Sequence, residues 1–145
     1  MKLTPHGGAA SMDNPNHGSA PPASLTARAV RYVEIVTEIT HKAKLPGYTV
    51  AAWNALAPLV ATDEFLLVGR GKQELDWPAT IACMDGWARA AEFSSALRRV
   101  EEAGALVFME LDEQVTAQGQ TTRRHTMTVY EFDTAGKLRR LDAFG

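Results

Sequence analysis

The sequence has one cysteine, no long apolar run and almost no net charge, and each of these absences excludes a class of protein. Cys83 can form no internal disulfide and has no companions at metal-ligand spacing, which predicts a reducing, cytoplasmic compartment. No apolar run approaches the roughly 20 residues that a membrane-spanning helix needs, so we expect no membrane association. The net charge of -2 offers no general attraction to phosphate backbones, so we expect no nucleic-acid partner.

Sequence motifs that bind cofactors or metals are also absent. The chain has no G-x-G-x-x-G after a predicted strand, no phosphate-binding P-loop and no H-E-x-x-H pair. Its four histidines are scattered, and two of them fall in the first 23 residues. The sequence therefore predicts neither a cofactor nor a metal site, and any chemistry must come from ordinary side chains.

Length and composition predict one globular domain preceded by a tail. The 145 residues suffice for one core and leave no room for a second, and 46% hydrophobic with 22% charged residues is typical of globular proteins. Residues 1–23 are rich in Pro, Gly, Ser, Asn and Ala and contain no continuous apolar stretch. They match a disordered tail better than a secretory signal, so the predicted domain spans residues 24–145.

Helical periodicity dominates the beginning of this domain. From Ser24 or Thr26, either of which suits an N-cap, apolar residues recur every three or four positions as far as Ala43. Leu45-Pro46-Gly47 ends the pattern, because Pro disfavours helix in the residue before it and Gly suits the exit turn. The pattern predicts a long amphipathic helix.

Two shorter helices, a strand and then four further strands follow. Residues 49–60 form a predicted helix that Pro58 must kink or end, residues 64–69 a buried strand, and residues 76–90 a third helix. Glycine-containing turns separate strand candidates over residues 93–102, 105–115, 122–133 and 137–144. Such short turns imply an antiparallel meander whose apolar face the helices must cover, so the predicted fold class is α+β.

This order of elements resembles the nuclear transport factor two-like superfamily, specifically its SnoaL-like bacterial members. The resemblance covers residues 25–145 and rests on the ending VYEFDTAGKLRRLDAF, joined to the ATDEF strand entry and the DWPATIACMDGW helix. It implies a cystatin-like cone, in which three N-terminal helices pack in a curved antiparallel sheet and enclose a pocket. The superfamily includes polyketide cyclases, ketosteroid isomerases, limonene-type epoxide hydrolases and non-catalytic binders, so the fold alone leaves the chemistry open.

The resemblance suggests catalytic acids, although most of the limonene-type machinery is missing. The limonene-type epoxide hydrolases have an Arg-x-Asp motif on one strand and an Asp on the last strand. Here Glu110-Leu111-Asp112 stands where the Arg-x-Asp motif is expected. Asp142 matches the Asp of the last strand, but an alignment without a gap places Ala143 at that position. Because side chains alternate faces along a strand, Asp112 and Asp142 are either general acids or bases in the pocket or part of a solvated or dimer-facing surface. Carboxylates are mostly exposed, which favours the second interpretation for Asp112.

The strand TRRHTMTVYEF offers further candidates on each of its faces. Arg124 and Tyr130 share one face with threonines and would stabilise an oxyanion if that face lines the pocket. His125 lies on the other face and is either a substrate contact or a structural cross-strand partner. The sequence does not decide which face is the inner one.

Aromatic residues are the candidates for substrate binding. Tyr32 lies in the first helix, where a tyrosine of the ketosteroid isomerases lies, but it also fits that helix's apolar core face. Trp77 and Trp87 flank the third helix, which caps the mouth of the cone in this superfamily. Their rings would suit flat ligands. The alternative is that these side chains only pack in the hydrophobic core.

Two functions remain open at this point. The first is a cofactor-independent enzyme that acts on a hydrophobic aromatic or polycyclic small molecule by general acid/base proton transfer, as an isomerase, dehydratase, lyase or epoxide hydrolase. The second is a non-catalytic module of the same fold that binds a hydrophobic ligand or mediates dimerisation. In either case the outer face of the sheet needs cover, so we expect a homodimer.

Overall fold

The structure, a computed structural model, describes residues 24–144. The tail predicted over residues 1–23 lies outside the described residues, as does Gly145. The helices are α1 (Leu25–Lys42), a 3-10 helix (Val50–Leu59) and α2 (Trp77–Ala90), and the strands are β1 (Leu66–Val68), β2 (Glu74–Leu75), β3 (Ala91–Ala103), β4 (Leu106–Ala117), β5 (Gln120–Phe132) and β6 (Leu138–Phe144). None of the helices in this part of the chain has the length and hydropathy to cross a membrane.

The two α-helices start where their capping residues predict. Of the two N-cap candidates for α1, Ser24 is the cap, and its hydroxyl accepts a hydrogen bond from the Ala27 N–H at 3.0 Å. Asp76 caps α2 in the same way by accepting from the Ala79 N–H, also at 3.0 Å. Pro78 then occupies the first turn of α2, where its missing N–H costs nothing.

The predicted second helix is a 3-10 helix. Side chains three residues apart eclipse one another in this geometry, which places Trp53 and Leu56 on one buried face. Pro58 lies inside the helix, near its end, and Val60 continues the chain as extended backbone. The core positions predicted for this segment are thus buried, although the helix is of a tighter kind.

The sheet has six strands in the order β2-β1-β6-β5-β4-β3. Strands β3 to β6 pair antiparallel as the predicted meander. Gln118 and Gly119 both have positive φ, which matches the tight hairpin turn between β4 and β5. In contrast to a purely antiparallel sheet, β1 pairs parallel with β6, and β2, which was not predicted, pairs antiparallel with β1.

Irregular pairing accompanies the curvature of the sheet. The register shifts between Leu97 and Arg99 in β3, and again between Glu131 and Phe132 in β5. Bulges of this kind bend a strand and increase its twist. The result is a curved, unclosed sheet with the helices on its concave side, so the predicted α+β cone is confirmed.

Burial along β4 identifies the inner face of the cone. Val107, Met109 and Leu111 are buried, whereas Phe108 between them is exposed. On the paired strand β5, Thr126 and Tyr130 are buried and belong to the same inner face. The polar face of β5 is therefore the one that looks into the cone.

Candidate functional site

A cavity of about 200 Å³ lies between the concave face of the sheet and helices α1 and α2. Its walls are mostly aromatic and aliphatic, with a small polar part. The aromatic residues are Tyr32, Trp87, Phe93 and Tyr130, the aliphatic and thioether residues are Val33, Val36, Leu67, Met84, Leu111 and Leu141, and the polar residues are Glu113, Arg124 and Thr128. A mostly apolar hollow with a few polar groups is the usual form of a small-molecule site.

The polar part of the wall contains an ion pair. Glu113 and Arg124 are opposite each other in the β4–β5 pairing, and an Arg124 Nη2–H donates to Glu113 Oε1 at 3.1 Å. The Glu113 side chain is 14% exposed and that of Arg124 is 40% exposed, so the guanidinium lies closer to solvent. The pair places a carboxylate able to move a proton beside a fixed positive charge.

Two tyrosines form the inner wall behind this pair. Tyr32 on α1 and Tyr130 on β5 meet edge to face, with their ring centroids 6.0 Å apart. Each hydroxyl has a methionine sulfur as its hydrogen-bond acceptor, Met84 for Tyr32 and Met109 for Tyr130, at 3.9 Å in both cases. Thioether sulfur is a weak acceptor, so both donors are largely unsatisfied.

Burial keeps these two hydroxyls protonated. Both tyrosines are almost fully buried, and removal from water raises the pKa of Tyr32 and of Tyr130 well above the usual tyrosine value. The negative charge of Glu113 raises the pKa of Tyr130 further. Near neutral pH both groups therefore act as hydrogen-bond donors and not as bases.

Two further hydroxyls on the inner side of the sheet have no partner. Thr126 Oγ1 and Ser95 Oγ are buried and form no hydrogen bond within residues 24–144. Ser95 is opposite Glu113 in the β3–β4 pairing, and Thr126 lies two residues after Arg124 on the same face of β5. Buried polar atoms normally find partners, so this neighbourhood retains unused hydrogen-bonding capacity.

The predicted acids Asp112 and Asp142 do not line the cavity. Asp112 follows the buried Leu111 and so lies on the outer face of β4, where it pairs with His125 and with Arg98 at 3.2 Å. Asp142 is opposite Val129 on the outer face of β6 and accepts from the Arg140 Nε–H at 2.9 Å. The alternation that brings Glu113 inward turns these two acids outward.

His125 lies at the centre of a charged group on the outer face. Its Nδ1 is 3.0 Å from Asp112 Oδ1, and its Nε2 is 2.5 Å from Glu110 Oε2. Arg98 contacts Asp112, and Arg99 contacts Glu110 at 3.2 Å. We name these five residues the outer-face cluster. The hydrogen bonds to Asp112 and Glu110 raise the pKa of His125, and the one from His125 lowers the pKa of Asp112.

The two tryptophans predicted to bind substrate have different surroundings. Trp87 lines the cavity and packs edge to face on Phe93, with ring centroids 5.3 Å apart. Trp77, at the start of α2, instead packs on Phe65 at 5.1 Å and is not part of the cavity wall. The structure thus brings Tyr32, Trp87, Arg124 and Tyr130 to the cavity, but not Trp77 or His125.

Two features of this region were not predicted from the sequence. Glu113 was not proposed, although the alternation of Val107, Met109 and Leu111 extends to it by one further step of two residues. Asp85 was also missed: its carboxylate accepts from the Tyr48 hydroxyl at 2.5 Å, the Trp53 indole at 3.0 Å and Arg89 at 2.8 Å. Only the Asp85–Arg89 spacing on one helix could have indicated it.

The three contacts of Asp85 affect its ionisation. Burial opposes the charged form, but the hydrogen bonds from Tyr48, Arg89 and Trp53 outweigh it and hold the pKa of Asp85 below its usual value. Burial and the hydrogen bond to Asp85 in turn raise the pKa of Tyr48 to about 12. The Arg89 guanidinium also lies over the Tyr48 ring, 4.9 Å from its centroid. These contacts fasten α2 to the 3-10 helix beside the cavity.

Comparison with known proteins supports the fold and does not assign an activity. No family model and no curated protein matches this sequence. Among solved structures, a protein described as a SnoaL-like polyketide cyclase from Shewanella denitrificans OS-217 aligns with a TM-score of 0.64 at 14% identity, covering 83% of this chain and 88% of that chain. An LEH-like epoxide hydrolase from M. tuberculosis aligns with a TM-score of 0.59 at 13% identity, covering 81% and 82%.

A third solved structure also aligns with this chain over most of its length at low sequence identity. It is the epoxide hydrolase/cyclase-like enzyme SalBIII, which has a role in pyran ring formation in the polyether salinomycin, with a TM-score of 0.61 at 13% identity over 82% of this chain and 90% of that chain. At such identities the likeness establishes the fold alone. The chain therefore has the SnoaL-like, nuclear transport factor two-like fold that the sequence predicted.

Proposed function

We propose that the protein binds a hydrophobic small molecule in this cavity and transforms it by cofactor-independent proton transfer, with Glu113 as the general acid or base. The observation that carries the proposal is the Glu113–Arg124 ion pair, at 3.1 Å, in the wall of an otherwise largely apolar cavity. A carboxylate in such surroundings is available for proton transfer, and the adjacent cation can stabilise the negative charge that the substrate develops. The reaction classes are isomerisation, dehydration, lyase cleavage or hydrolysis.

The other cavity residues have supporting roles in this proposal. Arg124 and Tyr130 stabilise an oxyanion or enolate oxygen, and Tyr32 and Trp87 hold the substrate. Solved structures of the same fold include proteins described as a polyketide cyclase and an epoxide hydrolase, and these descriptions support the proposal of an enzyme. Glu113 takes the place proposed from the sequence for Asp112 and Asp142, because those acids lie on the outer face.

Proton exchange at carbon tests this function before any natural substrate is identified. A panel of cyclic and aryl ketones with one to four rings is incubated with the protein in D₂O, and deuterium incorporation beside the carbonyl is followed by NMR. We expect wild-type exchange above the buffer rate, and a loss on the order of 10²-fold or more in Glu113→Gln. Asp112→Asn is the matched control and retains the exchange. Equal rates in wild type and Glu113→Gln would exclude Glu113 as the acid or base.

A specific observation also favours the second function, a ligand-binding or dimerisation module. Phe108 and Phe144 lie on the outer side of the sheet and are 36% and 45% exposed. Apolar surface of this kind is typical of an interface, so it supports the dimerisation module, and we propose a homodimer through the outer face. Cys83, exposed and unpaired in the described part of the chain, is compatible with the proposed reducing, cytoplasmic compartment. Binding of these ketones without proton exchange would support the second function, a non-catalytic binding module.

A further inference from the structure

The size of the cavity limits the ligand more strongly than its apolar walls do. Its volume is about 200 Å³. An engineered cavity of about 150 Å³ in another protein holds benzene, whereas pockets for drug-sized ligands span roughly 300–1,000 Å³. The volume therefore fits one six-membered ring with a small substituent. Because the cavity opens to solvent, a second fused ring would extend out of it and away from the apolar walls.

The charges of the wall favour a ligand without net charge. Of the described residues that line the cavity, Glu113 and Arg124 are the charged ones, and they are paired with each other. A carboxylate ligand would have to compete with Glu113 for the guanidinium and would leave two negative groups close together. A neutral ligand leaves the pair intact, so electrostatics oppose anions despite the presence of an arginine.

The tyrosine pair specifies the polar atom of the ligand. The Tyr32 and Tyr130 hydroxyls belong to rings in edge-to-face contact, and both have only sulfur acceptors at 3.9 Å. A carbonyl oxygen has two lone pairs in one plane and can accept from both donors at once. Exchanging weak sulfur acceptors for such an oxygen would satisfy two nearly buried donors in one contact.

We propose that the cavity is specific for neutral single-ring carbonyl compounds, whose oxygen accepts hydrogen bonds from Tyr32 and Tyr130. This inference rests on the proposed function for the identity of the site, and it narrows the ligand class from aromatic or polycyclic molecules to monocyclic ketones and aldehydes. In the bound complex the ring contacts the aromatic wall around Trp87. The carbon beside the carbonyl is then available to Glu113.

The test is equilibrium binding of four probes to the full chain, followed by protein-observed NMR. Acetophenone is the single-ring carbonyl, ethylbenzene is a hydrocarbon of similar size, benzoate is the anion, and 2-acetonaphthone adds a second ring. We expect acetophenone to bind most tightly, with ethylbenzene, benzoate and 2-acetonaphthone each at least threefold weaker. Equal or tighter binding of 2-acetonaphthone or benzoate would overturn the inference.

Hydroxyl deletions test the role of the tyrosines. Tyr32→Phe and Tyr130→Phe keep the ring and remove only the donor, so each is expected to weaken acetophenone binding about threefold to tenfold and to leave ethylbenzene binding unchanged or tighter. Thr121→Val is the control, because it also deletes a hydroxyl, at an exposed position of β5 that does not line the cavity. An equal loss for both probes would indicate altered packing and would refute the hydrogen bonds to the carbonyl.

Binding and turnover separate this inference from the proposed function. Glu113→Gln should still bind acetophenone more tightly than ethylbenzene or 2-acetonaphthone while losing proton exchange. Benzoate is left out of this comparison, because the variant frees the Arg124 guanidinium for an anion. Selective carbonyl binding without exchange in wild type would leave the ligand class standing and remove the catalytic function. Glu113-dependent exchange on ketones with two or more rings, without preference for one ring, would support the catalytic function and would refute the single-ring ligand class.

Discussion

Replacement of Asp85 by Ala is expected to destabilise the domain and to loosen one wall of the cavity. The carboxylate joins three segments by accepting from the Tyr48 hydroxyl, the Trp53 indole and the Arg89 guanidinium. Tyr48 precedes the 3-10 helix, Trp53 lies within it, and Arg89 is on α2. The neighbouring residue on α2, Met84, lines the cavity, so the same contacts hold part of the proposed site in place.

The magnitude follows from what each donor loses. The Arg89 side chain is half exposed and regains water when the carboxylate is removed. Trp53 is 1% exposed, so its indole N–H would remain buried without an acceptor, at a cost of about 1–3 kcal/mol. With a smaller loss at the half-buried Tyr48, the change in unfolding free energy is about 2–4 kcal/mol, a large share of the total stability of a typical domain.

Urea unfolding of wild type and Asp85→Ala, followed by circular dichroism, measures this change. The control is Asp63→Ala, which removes an exposed carboxylate that forms no side-chain hydrogen bond within residues 24–144 and is expected to change stability by no more than about 0.5 kcal/mol. If the two variants are equally stable, the premise that the indole N–H depends on Asp85 is refuted. The cavity should also lose affinity for acetophenone in Asp85→Ala only.

The pH dependence of stability provides a second measure of the same contacts. Because the folded-state pKa of Asp85 is lowered, its stabilising contribution is fully present above the ordinary value of 3.8 and is lost as the pH falls through the folded-state pKa. Wild type should therefore lose more stability below pH 3.8 than Asp85→Ala does. Parallel curves for the two proteins would contradict the assigned contacts.

Three further predictions concern the two faces of the sheet. Glu113→Gln should reduce proton exchange on the order of 10²-fold or more while Asp112→Asn does not, as measured by deuterium incorporation. The pKa of His125 is raised by its hydrogen bonds to Asp112 and to the other acid of the outer-face cluster, so its stabilising effect is present below the ordinary value of 6.5 and is lost as the pH rises through the folded-state pKa. An NMR titration of the His125 ring that gives the ordinary value would contradict this. Phe108→Lys should produce a monomer in sedimentation experiments, whereas Leu45→Lys, a change at a side chain 60% exposed in a loop, should not.

Local signals in the sequence were sufficient for most of the elements. The caps Ser24 and Asp76 mark helix starts because their side chains satisfy backbone N–H groups that the helix itself cannot. The turn at Gln118-Gly119 is equally local, since both residues adopt positive φ. Strand β2 and the parallel pairing of β1 with β6 were not predicted, because two- and three-residue strands carry too little pattern and pairing partners are set by distant segments.

The candidate site was only partly predictable. Tyr32, Trp87, Arg124 and Tyr130 were proposed from the sequence, and all four line the cavity. The catalytic acid was harder to predict, because β4 carries acidic residues on both of its faces. The sequence does not identify which of these faces lines the cavity. The choice between Asp112 and Glu113 depends on which face the helices cover.

The sequence by itself determined the order and type of the main elements, the α+β class and the resemblance to a known fold, because capping, turn chemistry and apolar period are properties of neighbouring residues. Only the tertiary structure decided which face of the sheet is concave, since packing of α1 against β3 and β4 fixes that choice for the whole sheet at once. That choice turned Glu113 and Arg124 inward and Asp112, Asp142 and His125 outward. It also set the volume of the cavity, which depends on how closely α1, α2 and the sheet approach one another and is a property of no single segment.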